Sequence, residues 1–356
     1  MNIAITGAGI IGRLLAWQLL EQGHKVTVFD RHAIDSTASC SYTAAGMLTP
    51  YSEGETAEPL VVALGKHALQ RWPQLLDQLG SDVQFHSRGT LVVAHQQDRG
   101  DYQRFNNAVS GRMSLDEEQY RLLNANQLAE LEPELAQRFQ HAAYLPDESW
   151  LCSHSVMSAL ADKLQQLNVT WYANTEVVAI NSGEVITKGR TANHHHFDLV
   201  IDCRGLGAKG DLPVRGVRGE LLWIEAPEVN ITRLVRLMHP RYRLYVVPRK
   251  GDLYLIGATQ IESEDYSEIS VRSALELLSA AYSVHPGFAE GRVLKSDVHC
   301  RPALPDNQPR IEASDGLIRV NGLFRHGYLI SPAVMDEVME VIADGNYQSE
   351  FDGLIH

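Results

Sequence analysis

Ile3-Ala4-Ile5-Thr6-Gly7-Ala8-Gly9-Ile10-Ile11-Gly12 is the stretch that decides the fold. A short apolar strand ends in Gly-x-Gly-x-x-Gly, and Leu14, Leu15, Trp17, Leu19 and Leu20 continue as an apolar helix. Gly7 permits a tight turn, Gly9 lets the backbone approach a pyrophosphate, and Gly12 allows close packing of helix on strand. Unpaired N–H groups at the helix N-terminus then favour phosphate oxygens. A second strand, Lys25-Val26-Thr27-Val28-Phe29, ends at Asp30, eighteen residues past Gly12. That is where a carboxylate takes the ribose hydroxyls of an adenine dinucleotide. A lone glycine fingerprint is weak, but strand, turn, helix, strand and acid in register predict a dinucleotide site.

With 356 residues the chain has room for a large core and two domains. A formal net charge of −13 argues against nucleic acid or an anionic membrane as partner, since both favour basic surfaces. The apolar run Ile3–Leu20 is interrupted by three glycines and explained by the fingerprint, so it is not read as a signal peptide. Nothing else approaches the ~18 apolar residues a membrane helix requires. Cytoplasmic residence is the expectation. Cys40, Cys152, Cys203 and Cys300 are scattered without C-x-x-C spacing, so neither disulfides nor a metal site is expected.

Three pieces read as nucleotide-binding material: the N-terminal unit, the stretch Ser153–Gly207, and the stretch Leu317–Ile342. In the second, a helix around Val156–Leu167 precedes strands at Val169–Trp171, Glu176–Ile180 and Leu199–Cys203, the last ending in Arg204-Gly205-Leu206-Gly207. His194-His195-His196 reads as a polar surface loop. Elsewhere Glu220–Ile224, Leu244–Val247 and Leu253–Gly257 alternate apolar and polar residues, which predicts an antiparallel sheet with one face covered. The expected fold is α/β: a Rossmann-type domain (1–55, 145–215, 301–356) interleaved with an α+β substrate domain on an antiparallel sheet (56–144, 216–300).

A nicotinamide enzyme and a flavoenzyme can both begin this way. The small and hydroxyl side chains from Ser36 to Met47 suit backbone approach to a phosphate or a flavin edge, although an ordinary Ser/Thr/Ala loop reads alike. Near the C-terminus, Leu323-Phe324-Arg325-His326-Gly327 leads to Ser331 and Pro332, which predict a helix capped at Ser331. A helix N-terminus there would stabilise negative charge developing on a flavin.

These blocks, with Ala44-Ala45-Gly46-Met47-Leu48, Tyr245-Val246-Val247-Pro248-Arg249, Gly257-Ala258-Thr259 and Arg301-Pro302, resemble the flavin-dependent D-amino acid oxidase family, and within it the glycine oxidases of thiamine biosynthesis. The resemblance covers nearly the whole chain. It implies non-covalent FAD held by Gly7, Gly9, Ile10, Ile11, Gly12, Asp30, Arg31, Ser41, Thr43, Ala44, Ala45, Gly46, Met47, Val177, Cys203, Gly205 and the run Arg325, His326, Gly327, Tyr328, Leu329, Ile330. It further implies that Arg301 forks onto a substrate carboxylate, Tyr245 helps to hold it, Arg325 stands near substrate and flavin, and Met47 lines the pocket. The chain departs from the family pattern at His326, Ser331 and Leu323, all beside the expected flavin.

Oxidation of a small amino acid by molecular oxygen is then expected, yielding an α-keto acid, ammonia and peroxide. The family often forms homo-oligomers. Two other readings stay open: an oxidase or dehydrogenase for sarcosine or D-amino acids, and a flavoprotein acting on a protein partner. Tyr245 reads equally as a core aromatic, and His326 as a packing histidine rather than an acid or base.

Overall fold

The computed structural model describes residues 1–80, 83–240 and 244–356. β1 (Asn2–Thr6) lies between β2 (Lys25–Phe29) and the strand Leu199–Asp202 in a six-stranded sheet. Thr170–Tyr172 extends the sheet beyond β2, and Leu317–Asn321 then Arg310–Ser314 extend it the other way. Every pairing is parallel except the last hairpin.

Burial of both faces explains why these runs are mostly apolar. Ile3, Ile5, Val26, Val28 and Ile201 enter one core beneath α1 (Ile10–Glu21) and the helices Ser153–Gln166 and Gly327–Ala343. Ala4, Phe29, Val200 and Leu317 point the other way, onto Ile180 and Val185. A strand buried on both faces reads as a near-continuous apolar run rather than an alternating one. The second face is covered by a small antiparallel sheet of Val177–Asn181, Glu184–Thr187 and Asn193–His196. The histidine triplet is therefore an edge strand and not a loop. His195 packs 5.1 Å from the ring of Phe29 and shares a hydrogen bond with Thr187, so cross-strand contacts outweigh its polar composition.

The C-terminal helix also differs from expectation. It starts at Gly327, and Ser331 and Pro332 lie inside it rather than at its cap. Pro332 cannot donate to the carbonyl of Tyr328, but the Trp72 indole N–H does so at 2.8 Å. Ser331 Oγ turns back onto the carbonyl of Gly327. A partner from a distant helix thus replaces the bond a proline removes, and the helix runs through.

The second large sheet has eight strands, in the order Arg292–Ala303, Arg215–Glu225, Leu253–Gly257, Leu244–Pro248, Leu234–Met238, Thr90–Ala94, His141–Leu145 and Arg121–Asn124. It is antiparallel except where Leu234–Met238 meets Thr90–Ala94 in parallel, joining its two sequence pieces. The expected domain limits at 144/145, 215/216 and 300/301 fall inside three of these strands. Among the described residues no helix is long and apolar enough to cross a membrane.

Candidate active site

The chain segments that leave β1, β2, Leu199–Asp202 and Leu317–Asn321 all open into one cleft of about 1780 Å³, which runs to the inner face of the eight-stranded sheet. Carboxyl ends of parallel strands are where such folds bind ligands. The volume exceeds the few hundred to about 1,000 Å³ of a single small-ligand pocket, leaving room for a dinucleotide and a substrate.

At the dinucleotide end the glycines have separable roles. Gly7 adopts φ +88°, and a Cβ there would lie 2.6 Å from the carbonyl oxygen of Cys203. A Cβ on Gly12 would overlap the carbonyl of Gly7, so α1 can sit on β1 only with glycine. A Cβ on Gly9 would meet Ser41 Oγ at 3.3 Å and otherwise project into the cleft. The amide of Ile10, at the first turn of α1, donates to Ser41 Oγ at 2.9 Å. Asp30 accepts from the amides of Ala8 (2.7 Å) and His32 (2.8 Å), so it braces the glycine turn while keeping lone pairs free. Arg13, which the motif does not single out, is buried and donates to the carbonyls of Ala8, Ile34 and Met157. Its guanidinium ties α1 to the loop after β2.

Arg31, Ser41, Thr43, Ala44, Ala45, Gly46, Met47, Cys203, Gly205, Arg325, His326, Gly327, Tyr328 and Leu329 all line the same cleft. Gly12 lies beneath the turn. Val177 stands on the small covering sheet and Ile330 is fully buried, so neither faces the cleft. The open backbone at Gly9 and Gly327 fits a bound dinucleotide, since a Cβ at Gly327 would find its nearest atom 3.9 Å away.

At the far end, Arg301 emerges from the strand Arg292–Ala303 opposite Val217. Its Nη1 donates to the carbonyls of Thr259 at 3.1 Å and Arg218 at 3.5 Å, contacts that orient the guanidinium without neutralising it. The group lies flat on Gly219, where a Cβ would come within 2.6 Å of Nη1. Thr259 is fixed in turn by Glu220, which is itself paired with the buried Arg218 at 2.6 Å. Tyr245 pairs with Gly257, and a Cβ on that glycine would sit 2.5 Å from the phenolic oxygen. Burial raises the Tyr245 pKa against the opposing pull of Arg301, so the phenol stays protonated and can donate. Met47 packs in the same apolar cluster as Tyr245 and Ala258 and narrows the cleft.

Arg325 is placed differently. Its Nη2 meets Glu53 Oε2 at 2.6 Å and Thr56 Oγ1 at 3.1 Å, and its Nε donates to His326 Nε2 at 3.4 Å. Burial, reinforced by the Arg325 charge, lowers the His326 pKa to about 3. An uncharged imidazole that accepts from Arg325 is a packing and positioning group, not a proton donor at neutral pH.

Glu53 was not legible as a site residue. It ends a short turn, α3 (Pro50–Glu53), after the brief helix α2 (Cys40–Thr43). Ser52, just before it, donates its amide and hydroxyl to Glu148 at 2.6 and 2.9 Å. Glu148 is fully buried, and burial raises its pKa from 4.5 to about 7. Between those values the folded state holds a proton that the unfolded chain has lost, so stability falls as pH rises. Glu148→Gln removes that proton linkage. Relative to wild type, the variant should gain up to about 3 kcal/mol between pH 5 and pH 8. Parallel stability-against-pH curves for the two proteins would refute the assignment.

Comparison with known proteins agrees with this layout. Residues 2–340 match the family described as FAD dependent oxidoreductase. The thiamine biosynthesis oxidoreductase ThiO of Rhizobium etli is 41% identical over 339 residues, covering 95% of each chain. The glycine oxidase of Geobacillus kaustophilus is 28% identical over 354 residues, with 93% of this chain and 90% of the relative covered. The crystal structure of the glycine oxidase from that organism superposes with a TM-score of 0.84 at 25% identity, covering 99% of this chain and 96% of the other. A glycine cradle at one end of the cleft, an arginine-bearing sheet at the other and a match along nearly the whole length have one common meaning: the chain is an enzyme of the FAD-dependent oxidoreductase family.

Proposed function

We propose that this enzyme oxidises glycine, or a similarly small amino acid, to its imine, which water converts to glyoxylate or another α-keto acid and ammonia. Molecular oxygen is the final acceptor and hydrogen peroxide the second product. The carrying observation is Arg301: a cleft-facing guanidinium, held by carbonyl groups and lying on Gly219, beside the protonated Tyr245. A planar fork with spare donors suits a carboxylate.

Gly7, Gly9, Asp30 and the N-terminus of the helix Gly327–Ala343 would hold FAD without a covalent bond, and the bound cofactor would supply the two-electron acceptor. The protein contributes position. Arg301 and the Tyr245 hydroxyl fix the substrate carboxylate, and Met47 limits the side chain that can be carried on Cα. Holding the Cα–H in one orientation converts binding into rate. An amine that binds uncharged drives loss of the Cα hydride with its own lone pair, so His326 can remain neutral throughout. The names of the relatives support glycine as substrate and a role for the product in thiamine biosynthesis.

Anaerobic titration of the purified yellow protein with glycine, sarcosine and D-alanine tests the reading. Bleaching by glycine at the lowest concentration, and recovery in air with stoichiometric peroxide, is the expected result. Bleaching without peroxide would replace oxygen by another acceptor, and no bleaching by any of the three would overturn the proposal.

A further inference from the structure

The two arginines that face the substrate end differ in one respect. Arg301 is met by carbonyl dipoles, whereas Arg325 is met by a carboxylate. Building on the amino acid oxidase reading, we infer that Glu53 is a specificity-determining residue that confines the cleft to monocarboxylate substrates by occupying Arg325.

The geometry is specific. Glu53 is 6% exposed and lines the cleft. Its carboxylate lies 2.6 Å from Arg325 Nη2 and 3.5 Å from Arg236 Nη1. Its backbone is fixed by the preceding Ser52, held through both its amide and its hydroxyl by the buried Glu148, and its side chain is held by burial and the two arginines. Glu53, Arg301 and Arg325 all act electrostatically on Tyr245, so the three charges share one small region.

A substrate with one carboxylate needs only Arg301 and Tyr245. A second carboxylate would have to settle against Arg325, where it would face the charge of Glu53 and find the Nη2 and Nε donors already engaged. Like-charge placement of this kind rejects a wrong ligand without weakening the right one. Glu53→Gln keeps the shape of the side chain, removes its charge and leaves Arg325 able to take a second anion.

Iminodiacetate is glycine with a carboxymethyl arm on nitrogen, so it isolates the second charge. The kcat/KM ratio of iminodiacetate to glycine should rise roughly 10- to 100-fold in Glu53→Gln, the range of a hydrogen bond to a charged group. Adding Arg325→Met to that variant should abolish the gain. An unchanged ratio in a Glu53→Gln enzyme that still oxidises glycine overturns the inference. Wild-type holoenzyme provides a measurement independent of how the variant folds: acetate should perturb the flavin absorbance at lower concentration than malonate. Malonate binding as tightly as acetate, or more tightly, also overturns the inference. Failure of the oxidase reading looks different, since wild type would then leave glycine, sarcosine and D-alanine unoxidised while the acetate–malonate comparison still reports on Glu53.

Discussion

Arg301→Ala should lower kcat/KM for glycine by about three orders of magnitude, the scale expected when a charged, two-pronged carboxylate contact is removed. Most of the loss should appear in KM, because the carboxylate is bound in the ground state as well as in the transition state. Bound flavin and thermal stability should stay near wild type: the arginine's partners are the carbonyls of Thr259 and Arg218, which solvent can also satisfy. Arg301→Lys should recover only part of the loss, since an ammonium keeps the charge but not the fork. Gly219→Ala is a finer probe. The added methyl would collide with the guanidinium and with no backbone atom among its nearest neighbours, so the side chain must move while the sheet need not. An increase in KM of roughly tenfold without loss of stability is expected, the size of one weakened charged hydrogen bond. Steady-state kinetics alongside flavin content and thermal melts would check all three. Loss of flavin in Arg301→Ala would make the residue a structural element of the cofactor domain. An unaltered KM would remove it from the substrate site.

What the sequence revealed and what it concealed divide along a physical line. The Gly7–Gly12 turn, β1, β2 and Asp30 are readable because their constraints are local: a turn needs a glycine here, a strand alternates there, and an acid follows at a set distance. The sheet alternation of Glu220–Ile224 and Leu244–Val247 is equally local, and both segments are strands of the large sheet. Glu53, Arg236 and Glu148 form no such pattern. Their partners arrive from remote parts of the chain through tertiary packing, so an acid in the run Pro50–Glu53 looks like any surface turn. The start of the C-terminal helix was misplaced for the same reason. Ser331-Pro332 obeys the local rules of a helix cap, but Trp72, from the helix Pro59–Leu79, supplies the hydrogen bond that makes the cap unnecessary. The histidine strand Asn193–His196 likewise acquires its structure from Phe29 and Thr187 rather than from its own composition.

Gly9→Val and Gly12→Val should fail in opposite ways, although the two glycines belong to one motif. At Gly9 the nearest atom to an added Cβ is Ser41 Oγ at 3.3 Å, a side-chain oxygen able to give way, and the rest of the valine would project into the cleft. The backbone there is extended, at φ −68° and ψ −172°, which valine adopts without strain. Gly9→Val should therefore fold with near wild-type stability yet purify colourless, because its side chain fills the space a pyrophosphate needs beside the amide of Ile10. FAD affinity should fall by at least about 100-fold, the cost of blocking close approach and leaving charged oxygens without their N–H donors. At Gly12 the added Cβ would overlap the backbone carbonyl of Gly7, which cannot rotate away as a side chain does. The helix would have to lift from β1, opening the core that Ile3, Ile5, Leu14 and Leu15 close. A stability loss of about 3 kcal/mol or more follows from disruption of this kind, with flavin loss only as its consequence. Far-UV circular dichroism, thermal melts and flavin-to-protein ratios separate the two outcomes. A yellow, fully loaded Gly9→Val protein would sink the assignment of the pyrophosphate to this turn. A Gly12→Val protein as stable as wild type would show that α1 does not depend on the close contact with Gly7.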